Sequence, residues 1–378
     1  MVSARSFISI GSVLFLILAS IDFLQSKPQK KSFIFFVPIA FFVLLFWTIF
    51  YSNDIGMWLL WVKLKLPFLL FPIAFFLAWQ SIASIVQDAL KCLWVVMLSS
   101  SLIVLTKYAL DFQMLNESFF SGGAMPTPFS HIRYSLLLVI SFFVILFHQT
   151  KFNYLLLFFF FVFIHLLSVR SGILALYVGL VVYAIYTVFL FQNWKKSALV
   201  LGSAILLAVC SYSFLPSIKN KLSYMRYDLS QWQERKIDGN SDAMRISSLI
   251  TGVEIAKENP WLGVGAGDIL KDAKEKHKQL FPNVLEEQSR KMPHNELLWT
   301  LCVSGIAGLS LFLFAWLYPV FYFRKQVSIS FIIIQLVFAV SFMVEYTLEE
   351  QIGGSLFILL FLLFLAQFNL QKCQPFRS

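Results

Sequence analysis

Long apolar runs separated by short polar turns dominate the pattern along the chain. About eleven runs are long enough for a membrane span. They lie near 6–25, 33–51, 58–79, 91–109, 130–148, 153–168, 171–191, 197–214, 295–323, 328–345 and 353–369. None shows the apolar/polar alternation of a membrane barrel, and backbone inside lipid must satisfy its own hydrogen bonds, so the runs predict helices. The expected fold is an all-α polytopic helical bundle of about 11–12 transmembrane helices. It divides into eight spans over 1–214, one large loop over 215–293, and three spans with a tail over 294–378.

Two regions depart from simple spans. The third run contains Lys63, Lys65, Pro67 and Pro72, which predicts a broken or partly interfacial helix with lysine stems snorkelling from near an end. In the loop, Ser241 or Asp242 is placed to cap a helix through Glu258, with Ile246, Leu249, Ile250 and Val253 as its apolar stripe. Asn259-Pro260 ends that helix, and Gly263 to Gly267 makes a flexible turn. A lysine-rich helix follows near 268–280, broken by Pro282-Asn283. Pro293 opens the ninth span, as proline does in a first helical turn.

Composition agrees with a membrane protein: 59% of residues are hydrophobic, 43 are Phe, and only 13% are charged. The net charge of +10 does not point to nucleic acid, because thirteen of the bases sit in the 215–293 loop beside apolar runs. Basic turns at Lys27, Lys30 and Lys31, at Lys91, Lys151, Lys195 and Lys196, and at Arg324 and Lys325 alternate with non-basic ones. The positive-inside rule puts the basic set in the cytoplasm and the large loop outside, periplasmic in a Gram-negative cell. There it has no access to ATP or nucleotide sugars. Cys92, Cys210, Cys302 and Cys373 have no paired spacing, which argues against a disulfide framework or thiolate metal site.

The candidate chemistry gathers at the outer rim. His294 stands at a helix start whose dipole disfavours imidazolium, flanked by Arg290 and Lys291, and a neutral imidazole is what a general base needs. The plainer reading is a polar rim residue. Asn295 is placed to orient that ring or bind a sugar hydroxyl. Arg245 reads either as a solvated arginine at a helix start or as a fork donor for a pyrophosphate. Arg170 lies in a very short outer turn, where arginine is costly near hydrocarbon and tends to be kept for a partner. His131 and Arg133, after Pro126 and Pro128, either line the same cavity or anchor headgroups. Gly263 and Gly265 superficially suggest a nucleotide loop, but no strand precedes them and no G-K-[ST] follows. A tight turn approaching another segment fits them better. Glu345, Glu349 and Glu350 fit either an ion site or a solvated loop, and without any Asp-x-Asp pair a divalent-metal transfer site has little support.

Four elements together resemble the O-antigen ligase and polymerase superfamily of bacterial envelopes. They are Arg245-x3-Leu249, His294-Asn295-x9-Gly305-x-x-Gly308, Asn259-Pro260-x-x-Gly263-x-Gly265 and Ser168-x-Arg170-Ser171-Gly172. The resemblance implies a multi-pass inner-membrane glycosyltransferase with a periplasmic site, no cofactor and no metal. Its donor would be a glycan on undecaprenyl pyrophosphate and its acceptor a sugar hydroxyl, that of lipid A–core in a ligase. His294 would be the base of an inverting transfer, and Arg170 and Arg245 would stabilise the departing pyrophosphate. Asn295, Arg133, His131, Arg290, Gly263 and Gly265 would contact substrate. The family has twelve spans with both ends cytoplasmic. The count here gives eleven with the N-terminus outside, so a first helix is missing or two runs are merged near 58–79. A polymerase, whose acceptor is another lipid-linked repeat, and a protein-glycosylating ligase share this donor. A transporter of anionic substrate, with Lys63, Lys65 and Lys107 along its path, is the alternative from another class.

Overall fold

A computed structural model describes residues 2–25, 32–147, 152–233, 241–282 and 292–373. Every regular element among them is helical, with fifteen α-helices, α1 to α15, and short 3-10 turns. Seven helical stretches are long and apolar enough to cross a membrane, and three shorter apolar helices accompany them. The chain is thus an all-α, multi-pass membrane protein.

The irregular third run is resolved into pieces. Ile55–Leu110 spans 56 residues, roughly 80 Å if straight, far beyond a hydrocarbon core of about 30 Å. It is broken instead. Asp54 caps α3 (Ile55–Lys65) by accepting from the Met57 amide at 2.9 Å, and Pro67 opens α4 (Pro67–Leu110), which kinks at Ala78. Lys65 does not snorkel: it is 5% exposed and ion-paired to Glu349.

The chain forms two compact units. The first comprises Met1–Val86, Ile237–Val327 and Phe342–Ser378, and the second comprises Gln87–Lys236 and Ser328–Ser341. In the first unit, the loop helix α11 (Ser241–Glu258) packs on both α13 (Glu296–Tyr322) and α12 (Ile269–Leu280) around a core of Trp58, Trp61, Ile255, Ile269, Trp299 and Val303. The buried face of α11 is not the expected stripe. Ala243, Ser247, Ser248, Thr251, Ile255 and Ala256 are buried, whereas Ile250 and Val253 are exposed. Small residues let the backbone of α11 come close to α13, and that proximity decides the face more than side-chain hydrophobicity does.

A close backbone approach lies at a break inside α13. Gly305 adopts φ +63°, ψ −165°, which interrupts the helical ladder. The freed groups are paired by the 260–265 turn. The amides of Ile306 and Ala307 donate to the carbonyls of Pro260 and Trp261 at 2.8 and 3.3 Å, while the amides of Val264 and Gly265 donate to Cys302 and Val303 at 2.8 and 3.0 Å. A Cβ on Gly305 would stand 2.2 Å from the Trp261 backbone, and one on Gly263 would stand 2.4 Å from the Cys302 carbonyl oxygen. The turn at 48–54 clamps the far side. There Tyr51 Oη donates to the Leu262 carbonyl at 2.7 Å, and the Asn53 amide donates to Asp268 at 2.7 Å.

The second unit packs α6 (His131–Phe147), buried along nearly its whole length, against α7 (Asn153–Leu167) and α8 (Arg170–Phe191). The 215–240 part of the large loop contains a helix not expected from the sequence, α10 (Pro216–Gln233). Its apolar positions are sparse, so helical periodicity gave little signal there.

Gly263→Ala and Gly305→Ala are each expected to lower the melting temperature of the detergent-solubilised protein. A left-handed non-glycine residue alone costs about 1–3 kcal/mol before any collision. Gly202→Ala, at a helix position where a Cβ meets nothing within 4 Å, should leave the melting temperature unchanged or slightly raised.

Candidate active site

His294 and Asn295 stand at the mouth of α13. Asn295 is the N-cap: its Oδ1 accepts from the Leu298 amide at 2.9 Å, and its Nδ2 donates to the Met343 carbonyl at 3.1 Å. One end of the amide therefore caps α13, and the other ties its start to the last turn of α14 (Ile329–Val344). The cap sets the direction of the residue before it, and that residue is His294.

The imidazole meets a carboxylate. His294 Nδ1 lies 3.1 Å from Glu345 Oε2, and the Tyr346 ring packs with its centroid 5.3 Å from that of the imidazole. A carboxylate accepts, so it selects the tautomer with the proton on Nδ1 and leaves Nε2 as the basic nitrogen. The other oxygen, Glu345 Oε1, accepts from Arg245 Nη2 at 2.8 Å. One carboxylate thus joins the imidazole to the guanidinium. The Glu345 side chain is 4% exposed, that of His294 14% and that of Arg245 32%. A carboxylate this buried requires such partners. Arg245 is open enough to offer its remaining donors outward.

Other predicted residues fall elsewhere. Gly263 and Gly265 have positive φ and face the α13 backbone and the Ser52 hydroxyl. They are packing positions, as the tight-turn reading expects. The predicted contact at Arg290, like its neighbour Lys291, lies outside the described residues. The solvated-loop reading of Glu345 and Glu349 is overturned, since the two are 3% and 2% exposed. The turn after α14 folds inward because its carboxylates have cationic partners there.

Arg170, Arg133 and His131 belong to the second unit. Ser168, with φ +52°, ends α7 in a left-handed turn, and Arg170 is the exposed first residue of α8. His131 begins α6, and Arg133, 5% exposed, donates to Ser130 Oγ at 3.2 Å. The structure adds a residue that the motifs omit. Lys221 of α10 has its ammonium pKa pushed down to about 8, first by burial and then by the charge of Arg170. Two cations held close together, one of them half-buried, form an environment that favours an anion beside them. Its only sequence signal is a lysine in the 215–240 stretch, whose helix was not anticipated.

Residues 155–313 match the family model described as O-antigen ligase. The four motif elements, from Ser168 to Gly308, lie inside that stretch, so the match bears out the resemblance they carry. No curated protein matches the chain significantly. Family and apolar helices together support a membrane glycan enzyme of the ligase or polymerase type. Glu345 lies beyond the matched stretch.

Glu345→Leu is expected to lower the melting temperature more than the double variant Arg245→Met/Glu345→Leu. Stripping one partner from a fully buried pair costs about 3–5 kcal/mol, and less applies here because Arg245 is partly exposed. Equal melting temperatures would show that Glu345 and Arg245 are not energetically coupled.

Proposed function

We propose, starting from a membrane chain of O-antigen ligase type, that it transfers a glycan from undecaprenyl pyrophosphate to a sugar hydroxyl, that of lipid A–core, on the periplasmic face. The observation that carries this reading is the Glu345 carboxylate shared between His294 and Arg245. Glu345 fixes the ring and its tautomer, so Nε2 is poised to take the acceptor hydroxyl's proton. The hydroxyl oxygen then attacks the anomeric carbon from the face opposite the diphosphate. The carbon–oxygen bond to the diphosphate breaks with its electron pair, and the configuration inverts. Glu345 stabilises the imidazolium formed in that step, and the proton is later released to solvent.

Charge grows on the departing diphosphate during the same step. The outward-facing donors of Arg245 are assigned to it, and Arg170 with Lys221 is assigned an anion-binding role within the second unit. Interactions that strengthen as that charge develops raise the rate, not merely the affinity. No nucleotide is required, because the glycosyl–diphosphate bond that breaks carries the driving force. The transfer needs no metal in this reading, since the cationic side chains supply the positive charge.

Purified protein with lipid-linked glycan donor and lipid A–core acceptor tests the reading. His294→Ala should lose transfer to background, and Glu345→Gln should lower kcat by about 10²–10⁴-fold, the range of positioned acid–base catalysis. Arg245→Lys should also be impaired, since a point charge replaces neither the fork to Glu345 nor the outward donors. Near-normal activity of His294→Ala would refute the base assignment. Donor chains lengthened without any acceptor core would instead identify a polymerase.

The lowered pKa of Lys221 gives a pH signature. Burial and Arg170 disfavour its charged form, so the free protein loses that charge as pH rises through about 8. Binding of inorganic pyrophosphate to this pair, which favours the charged form, should weaken over the same rise. Its affinity by titration calorimetry should therefore fall above about pH 8, and Lys221→Met should remove that limb while lowering the affinity below it. An unaltered limb in Lys221→Met would assign it to another group.

A further inference from the structure

Behind the His294–Glu345 pair lies a second charged cluster, made by Lys65, Glu296 and Glu349. Lys65 comes from the last turn of α3, Glu296 from the first turn of α13 and Glu349 from the 3-10 turn Thr347–Glu349. All three are buried, at 5%, 0% and 2% exposure. Lys65 is ion-paired to Glu349 and lies 5.1 Å from the centre of the Trp299 ring and 5.7 Å from that of Phe68. The space beside Lys65 is a void of about 10 Å³, no larger than one water needs.

Glu296 Oε2 accepts from the Leu348 amide at 2.8 Å. This joins the same two segments as the His294–Glu345 contact does. Glu296 lies two residues after His294, and Leu348 three after Glu345. The two contacts form adjacent rungs between one short stretch at the mouth of α13 and another in the turn after α14.

Charge balance constrains the cluster. Two carboxyls and one ammonium share a dry space, so a single negative charge neutralises Lys65 and the other carboxyl keeps its proton. Burial raises the Glu349 pKa well above the carboxylate range, Lys65 opposes that rise, and Glu296 beside it adds to it. Glu349 and Glu296 therefore share one proton, and Lys65 faces the single charge that remains between them.

We infer that Lys65, Glu296 and Glu349 are positioning residues for the His294–Glu345 pair: Glu296 holds the backbone of the turn that carries Glu345, and the proton-sharing partners hold Glu296. The catalytic consequence rests on the proposed role of His294, whereas the structural one does not. Because the two carboxyls need only one charge between them, either can be replaced by its amide. Replacing both leaves Lys65 buried and unneutralised.

Hydrogen exchange of the 345–349 segment, melting temperature and steady-state kinetics on the full-length protein in detergent test this. Glu296→Ala should speed exchange at 345–349 and lower kcat by about 10–100-fold, as loss of an outer-shell partner does, with little change in KM. Glu296→Gln, which keeps an acceptor for the Leu348 amide, and Glu349→Gln, which mimics the protonated acid, should each behave like wild type. The double variant Glu296→Gln/Glu349→Gln should lose melting temperature and segment protection. Adding Lys65→Met should restore both. Unchanged exchange in Glu296→Ala, or a double amide variant as stable as wild type, would overturn the inference. If wild type fails to turn over the donor, the proposed function fails, and the exchange and melting measurements still decide the cluster.

Discussion

The structure depends first on the seam between the interrupted backbone of α13 and the turn at 260–265. A helix opened at Gly305 leaves amides and carbonyls without ladder partners in an apolar setting, where each costs several kcal/mol if left unpaired. The turn supplies donors and acceptors at matching spacing, and the pairing is reciprocal. Glycine at 263 and 305 is required by contact distance as well as by dihedral, because two backbones meet where a Cβ would stand. The seam fixes the turn that follows α11 to the N-terminal part of α13. Arg245, carried on α11, and His294, at the end of α13, are thereby held in one frame.

Within that frame a single carboxylate organises the chemistry. Glu345 neutralises part of the Arg245 charge, selects the His294 tautomer and is itself kept from water. A buried carboxylate with one partner would be a liability, and two charge-assisted contacts offset much of its desolvation. The Lys65–Glu296–Glu349 cluster repeats this logic one layer deeper, at the same pair of segments. Two cations of the large loop follow the same logic. Lys221 beside Arg170 in the second unit, like Arg245 on Glu345 in the first, is held in a specific electrostatic setting.

The motif reading and the structure meet at different depths for different residues. His294 was legible because a histidine at the start of an apolar helix stands out. Asn295 was legible as a polar neighbour, but its role as an N-cap tied to Met343 was not. The glycines read correctly as a tight turn, while the segment they approach was hidden, since nothing local links 263 to 305. Glu345 was seen only as one of three acids in a turn. Its partners lie 51 and 100 residues away in sequence, and no spacing rule connects positions so distant. The stripe on α11 was misread because burial there follows close helix approach through small residues, which periodicity of large apolar residues does not capture.

Length and composition of the apolar runs by themselves determined an all-helical, membrane-spanning chain, since lipid leaves the backbone no other way to pair its groups at that length. The local starts of helices, with Asp54 and Asn295 as caps and Pro67 in a first turn, became visible only in the structure. Tertiary structure alone decided which charges share a carboxylate, which lysine leaves the water, and which helix face is buried. Those outcomes are set by desolvation and contact between segments far apart along the chain, and such energies exist only once the segments have met.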